Sequence, residues 1–204
     1  KLEVFETTTD LDIFSCICIV TDVRTGGYVM SGGADLNPKL AIEKAVSESC
    51  GTSMYYLTNE KVEMLQKDFV PFVTKGINLE RRRIFAKNGL YKDKLKISKG
   101  EEVNFKDIKF FNKYEGCKVD ELEHVLEIFR GKKNNYDKVY VYDVNEGKLS
   151  KYGFFVVRVI IPKFFPLYLE ENLALVNSER LRDFSFYKNA TTEFEINTFP
   201  HPFP

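Results

Sequence analysis

Residues 28–57 read YVMSGGADLNPKLAIEKAVSESCGTSMYYL: a strand, a run of small residues and a helix start in one stretch. Asn37 can cap a helix, and Pro38 suits the first helical position because its missing N–H would have no partner there anyway. From Leu40 onward no proline interrupts, so a helix is expected over 37–57. Ala41, Ala45, Glu48 and Thr52 fall on one side of it at helical spacing. Three of these are small, so another backbone or a ligand can come close. Glu48 has two readings. It is a surface-edge glutamate, or a carboxylate held among small residues by a cation or a partner.

Working back from the helix, Ser31-Gly32-Gly33-Ala34 is small enough for close backbone approach. Tyr28-Val29-Met30 reads as the return strand of a hairpin turned at Gly26-Gly27. Its first strand lies within residues 11–24, LDIFSCICIVTDVR. Cys16 and Cys18, two apart, face the same side of that strand and are badly placed for a mutual disulfide. Cys16, Cys18, Cys50 and Cys117 show no paired CxxC spacing, which disfavours zinc. All four read as reduced and mostly buried, favouring the cytoplasm.

Working forward, a short helix is expected over 59–68, broken by Pro71, and another over 78–88, closed by Asn88-Gly89. Arg81, Arg82 and Arg83 point in three directions on such a helix and read as a solvated face. Residues 91–109 read as a mobile surface insertion or a partner-binding edge. Asp120 is expected to cap a helix through Arg130, with Leu122, Val125, Leu126 and Phe129 as its buried stripe and His124 off it. Residues 138–144 alternate as a strand. Residues 153–161, GFFVVRVII, are nearly continuous in apolars and read as a strand buried on both faces. Arg158 inside that strand must be paired, snorkelling or functional. Pro162 ends the strand, and 164–196 reads as an extended loop with a short helix near 177–181.

The whole is expected to be one domain, at most two, of mixed α/β (α+β) class. Its sheet is expected to be largely antiparallel, with the N-terminal hairpin near the late strands and helices 37–57 and 120–130 on one face. Parallel βαβ winding is the alternative. Thirty basic residues balance thirty acidic ones, which gives no support to a nucleic-acid binder. No apolar run approaches the ~20 residues that span a bilayer. The chain begins with Lys1 rather than Met, which suggests an excised piece of a longer protein.

The last residues, Pro200-His201-Pro202-Phe203-Pro204, alternate proline with residues that proline pushes out of the α region. This makes either a stiff, polyproline-II-like end or a disordered one that happens to be proline-rich.

Three stretches together resemble the YcaO family, in particular its azoline-forming cyclodehydratases. Gly32-Gly33-Ala34 through AIEKAVSES is similar to the family's turn and A-x-x-x-A-x-x-E helix. Residues 138–141 followed by VVRVIIP are similar to its paired late strands. The end, 197–204, is similar to its Pro-x-Pro-x-Pro terminus. The resemblance covers roughly residues 10–60 and 136–204. It implies that residues 1–204 are the C-terminal portion of a YcaO domain, with 197–204 as a proline-rich tail.

In that family ATP and Mg2+ serve a reaction on the peptide backbone. A Cys, Ser or Thr side chain attacks the preceding amide carbonyl, ATP phosphorylates the oxygen, and phosphate leaves to give a thiazoline or oxazoline. The resemblance implies that Glu48 is a metal ligand and that Glu48 and Arg158 bind nucleotide. It also implies that Pro200, Pro202 and Pro204 order the active site. The implied partners are a precursor peptide, a peptide-binding partner protein and a flavin-dependent dehydrogenase, with a homodimer allowed and neither nucleic acid nor membrane involved. Three departures stand out. Glu48 is followed by Ser49-Cys50-Gly51 instead of the family's Gln and Arg, and Lys163 replaces a Gly. The family's S-x-x-x-E and E-x-x-E-R helices have no counterpart ahead of residue 10. The second reading is therefore a degenerate scaffold that binds peptide or partner without catalysis.

Overall fold

The computed structural model describes residues 1–9, 11, 13–56, 73, 118–131, 138–145, 147–168 and 170–175. The expected helices at 59–68 and 78–88, the arginine triplet, the 91–109 insertion, Cys117, the short helix near 177–181 and the proline tail lie outside them.

Strands β1 (Leu2–Glu6), β2 (Phe14–Thr21) and β3 (Tyr28–Asp35) form an antiparallel sheet in the order β1-β2-β3. β1 was not foreseen. Its LEVFE run alternates weakly, and only pairing with β2 makes it a strand. The β2–β3 hairpin turns where expected. Gly26 takes the left-handed conformation, φ +75°, and its N–H donates to the Asp22 carbonyl at 2.9 Å. The Arg24 side chain bonds the Asp22 carboxylate and holds it below the usual range.

Helix α1 (Pro38–Tyr56) follows β3 and lies across β2 and β3. The Asn37 side chain accepts a hydrogen bond from the Lys39 N–H at 3.0 Å, the N-cap expected from its position. Nearly two turns in, Lys44 Nζ lies 2.6 Å from Asp35 Oδ2 and ties the helix to the end of β3. Phe14, Cys16, Cys18 and Val20 of β2 share the face that meets Ala41, Ile42, Ala45 and Val46, so this is the core. Cys16 and Cys18 do face the same way and are buried, whereas Cys50 is exposed.

Helix α2 (Lys118–Arg130) starts two residues earlier than expected. Asp120 is therefore not its cap but sits in the first turn, where a carboxylate still suits the positive helix end. Phe129 is buried and meets the Phe164 ring edge-on, centroids 5.5 Å apart. Leu122, expected in the buried stripe, is 59% exposed.

The late strands depart most from expectation. β4 (Tyr140–Asp143) and β5 (Val157–Ile160) pair only with each other among the described residues. They make a two-stranded ribbon instead of joining the N-terminal hairpin. The strand expected over 153–161 shrinks to four residues, all exposed. Continuous apolarity predicts burial on both faces, but burial requires covering layers, and none of the described residues supplies one. The fold class stands: antiparallel sheets with helices, mixed α/β. No helix among the described residues is long and apolar enough to cross a membrane.

Candidate functional site

The rotation of α1 about its own axis decides where Glu48 points. Ala41 and Ala45 are fully buried against the sheet, as their small size suggested. The next buried position is not Glu48 but Ser49, four residues on. The sheet therefore meets the i, i+4 row of the helix, Ala41-Ala45-Ser49, and Glu48 turns outward and is exposed. Thr52 is half-buried.

Ser49 is anchored from two strands. Its hydroxyl donates to the Cys18 carbonyl at 3.1 Å. The Ser31 hydroxyl donates to the Ala45 carbonyl at 2.5 Å, and the two serine oxygens lie 2.5 Å apart. Two hydroxyl protons thus serve three contacts, all inside the core. The network pins α1 to β2 and β3 and so fixes where Glu48 sits. Sequence reasoning missed it. Extending the Ala41–Ala45 spacing by four, rather than by three, would have found Ser49.

Arg158 lies on β5, opposite Tyr142 in the register. It is exposed, so the cost of burying a guanidinium no longer demands a partner or a role for it. Among the described residues neither Glu48 nor Arg158 makes a hydrogen bond or an ion pair, and none joins the two. Pro200, Pro202 and Pro204 lie outside those residues.

A magnesium site needs several oxygen ligands around one point, only some of them water. Among the described residues no three acidic, histidine or cysteine side chains converge in that way. Glu48 is one exposed carboxylate on a rigid helix. The described residues do not by themselves make a magnesium centre.

The cysteines give a direct check on this packing. Burial pushes the Cys16 thiol up, followed by the neighbouring Cys18, while a backbone hydrogen bond with Gly33 opposes. Burial also raises Cys18, opposed by a hydrogen bond with Ser49. An acid whose folded pKa is raised leaves stability intact while both states stay protonated. Stability then falls as pH rises through the unfolded thiol value, about 8.5, and on to the folded one. Alkaline pH should therefore destabilise the chain, and replacing Cys16 and Cys18 by alanine should flatten that slope in denaturant titrations. In the native protein iodoacetamide should modify Cys50 and spare Cys16 and Cys18, which mass spectrometry of digests can score. Rapid native labelling of Cys18 would show that the β2–α1 core is not closed.

A family model described as YcaO cyclodehydratase, ATP- and Mg2+-binding, matches residues 1–165. The match includes the hairpin, α1, α2 and the β4–β5 ribbon, and also the middle of the chain, where the residues carried no visible resemblance. It stops short of the proline tail. ATP and Mg2+, expected from the resemblance, are the cofactors that this description names. No curated protein matches the chain. With 165 of its 204 residues matched, the chain belongs to the YcaO family.

Proposed function

We propose that this chain is part of an ATP-dependent cyclodehydratase that converts Cys, Ser or Thr of a ribosomally made precursor peptide to thiazoline or oxazoline rings, in bacteriocin-type biosynthesis. The family match over residues 1–165 carries this reading. The proline-rich end supports the azoline-forming branch from sequence alone. Ring closure joins a side-chain oxygen or sulfur to the preceding carbonyl carbon and expels that carbonyl's oxygen. An amide oxygen is a poor leaving group, which is the chemical reason for coupling the reaction to ATP. The partners in this reading are the precursor, a protein that presents it and a flavin-dependent dehydrogenase that oxidises the ring. Buried thiols suit a cytoplasmic setting.

The test is to incubate the natural gene product with its partner, precursor, ATP and Mg2+. A loss of about 18 Da per ring, the mass of one water, with matching ADP is expected. ATP turnover without that loss removes the azoline assignment. Deleting Pro200 to Pro204 should lower turnover by roughly tenfold or more while leaving the thermal transition in place, since a preorganised segment contributes positioning. Unchanged turnover removes the tail's role.

A second reading, a scaffold that binds peptide without catalysis, is favoured by one observation. Glu48 stands exposed, with no converging acids among the described residues. Precursor binding with no ADP produced would select it.

A further inference from the structure

Both faces of the β4–β5 ribbon are mainly apolar, and among the described residues no layer covers either. Tyr140 and Tyr142 lie opposite Ile160 and Arg158, while Val141 lies opposite Val159 on the other face. Val157, opposite Asp143, completes that second face, and the six apolar members are each more than half exposed. Among the described residues each strand also has an outer edge with no strand beside it. A two-stranded ribbon with both faces wet is marginal in water, so a covering strand would stabilise it.

Charge indicates what kind of strand that is. Lys138 and Lys163 flank one end of the ribbon, Lys151 lies in its connecting loop, and Arg158 stands in its middle. None of these four has an ion pair among the described residues. With Lys148 the stretch 137–163 holds five basic residues against three acids, Asp137, Asp143 and Glu146. Asp143 accepts hydrogen bonds from the Asn145 and Gly147 N–H groups at 2.9 and 3.0 Å, closing the turn. In a chain whose total charge is zero, residues 137–163 thus carry a formal excess of two positive charges. A second copy docked face to face would set these cations against themselves, which disfavours it.

We propose that the β4–β5 ribbon docks an extended, acidic segment of a peptide. The segment would add as a third strand along an open edge, its carboxylates meeting Arg158 and the lysines and its alternate apolar side chains covering the ribbon. This deepens the peptide-modifying reading above and names where the precursor would lie.

The test uses the full chain without ATP. A fluorescein-labelled peptide of alternating glutamate and valine, about eight residues long, is followed by anisotropy beside its lysine–valine counterpart. Saturable binding of the acidic peptide alone is expected, falling by about tenfold in Arg158→Glu and weakening as salt rises. Circular dichroism confirms that this exposed substitution leaves the fold intact. Equal binding of both peptides, or no effect of Arg158→Glu, overturns the proposal. So does a concentration-dependent dimer dissolved by that substitution, which would assign the ribbon to a second copy. Tighter binding of a short oligoribonucleotide than of the acidic peptide would also overturn it. Because ATP is absent, failure here leaves the ring-forming assay untouched, and binding without ring formation leaves the docking surface standing.

Discussion

Gly33→Ala should destabilise the chain by about 3 kcal/mol and lower its thermal midpoint by roughly 10 °C. Gly33 lies on the face of β3 that meets α1, beside Cys16 in the register. A β-carbon built there runs into the carbonyl oxygen of Ala41, with the Ala41 carbonyl carbon at 3.0 Å and the Ala45 methyl at 3.2 Å. Two of these atoms are helix backbone, which cannot swing aside as the end of a side chain can. Relief requires the whole helix to lift from the sheet, opening the Cys16–Cys18–Ala41–Ala45 core. The second-site change Ala45→Gly removes the methyl but leaves the Ala41 carbonyl, so it should not restore stability. Chemical denaturation of both variants decides the matter. A Gly33→Ala protein as stable as the parent would mean that helix and strand do not approach this closely.

The second large effect is expected at Ser49. A fully buried helix position facing a sheet invites leucine, yet Ser49→Leu should cost about 3 kcal/mol. The extra carbons have no room beside Ser31, and the Ser31 hydroxyl loses its neighbour at 2.5 Å. Ser49→Ala, which removes only the hydroxyl, should cost about 1 kcal/mol, the usual net value of one buried hydrogen bond. Paired with Ser31→Ala, it should show costs that do not add, because the two hydroxyls share one contact. A Ser49→Leu protein of unchanged or greater stability would show that the site is loose and that the serine network does not orient α1. The consequence reaches the candidate site, since the same network sets the outward direction of Glu48.

Several parts of this chain were legible as sequence because their signals are local. The Asn37-Pro38 helix start, the Gly26-Gly27 turn and the shared face of Cys16 and Cys18 each depend on residues a few positions apart. Glu48 shows the limit. Spacings of three and four from Ala45 are both neighbours on a helix, and which of them is buried depends on how the sheet crosses it. Arg158 shows the same limit for strands. Its apolar neighbours suggested burial, but a strand's two faces are filled or left open by residues distant in the chain.

The sequence by itself determined the hairpin, the start of α1, the small-residue contact between them and, through its resemblance, the family and its cofactors. These follow from backbone preferences and side-chain size, which act over a few residues. Only the tertiary structure decided that Ser49 rather than Glu48 is buried. It alone decided that, among the described residues, the late strands pair as an exposed ribbon apart from the N-terminal sheet, with Arg158 exposed on it. Those outcomes depend on crossing angle, register and which layers meet, quantities set by the packing of distant segments and by no local pattern.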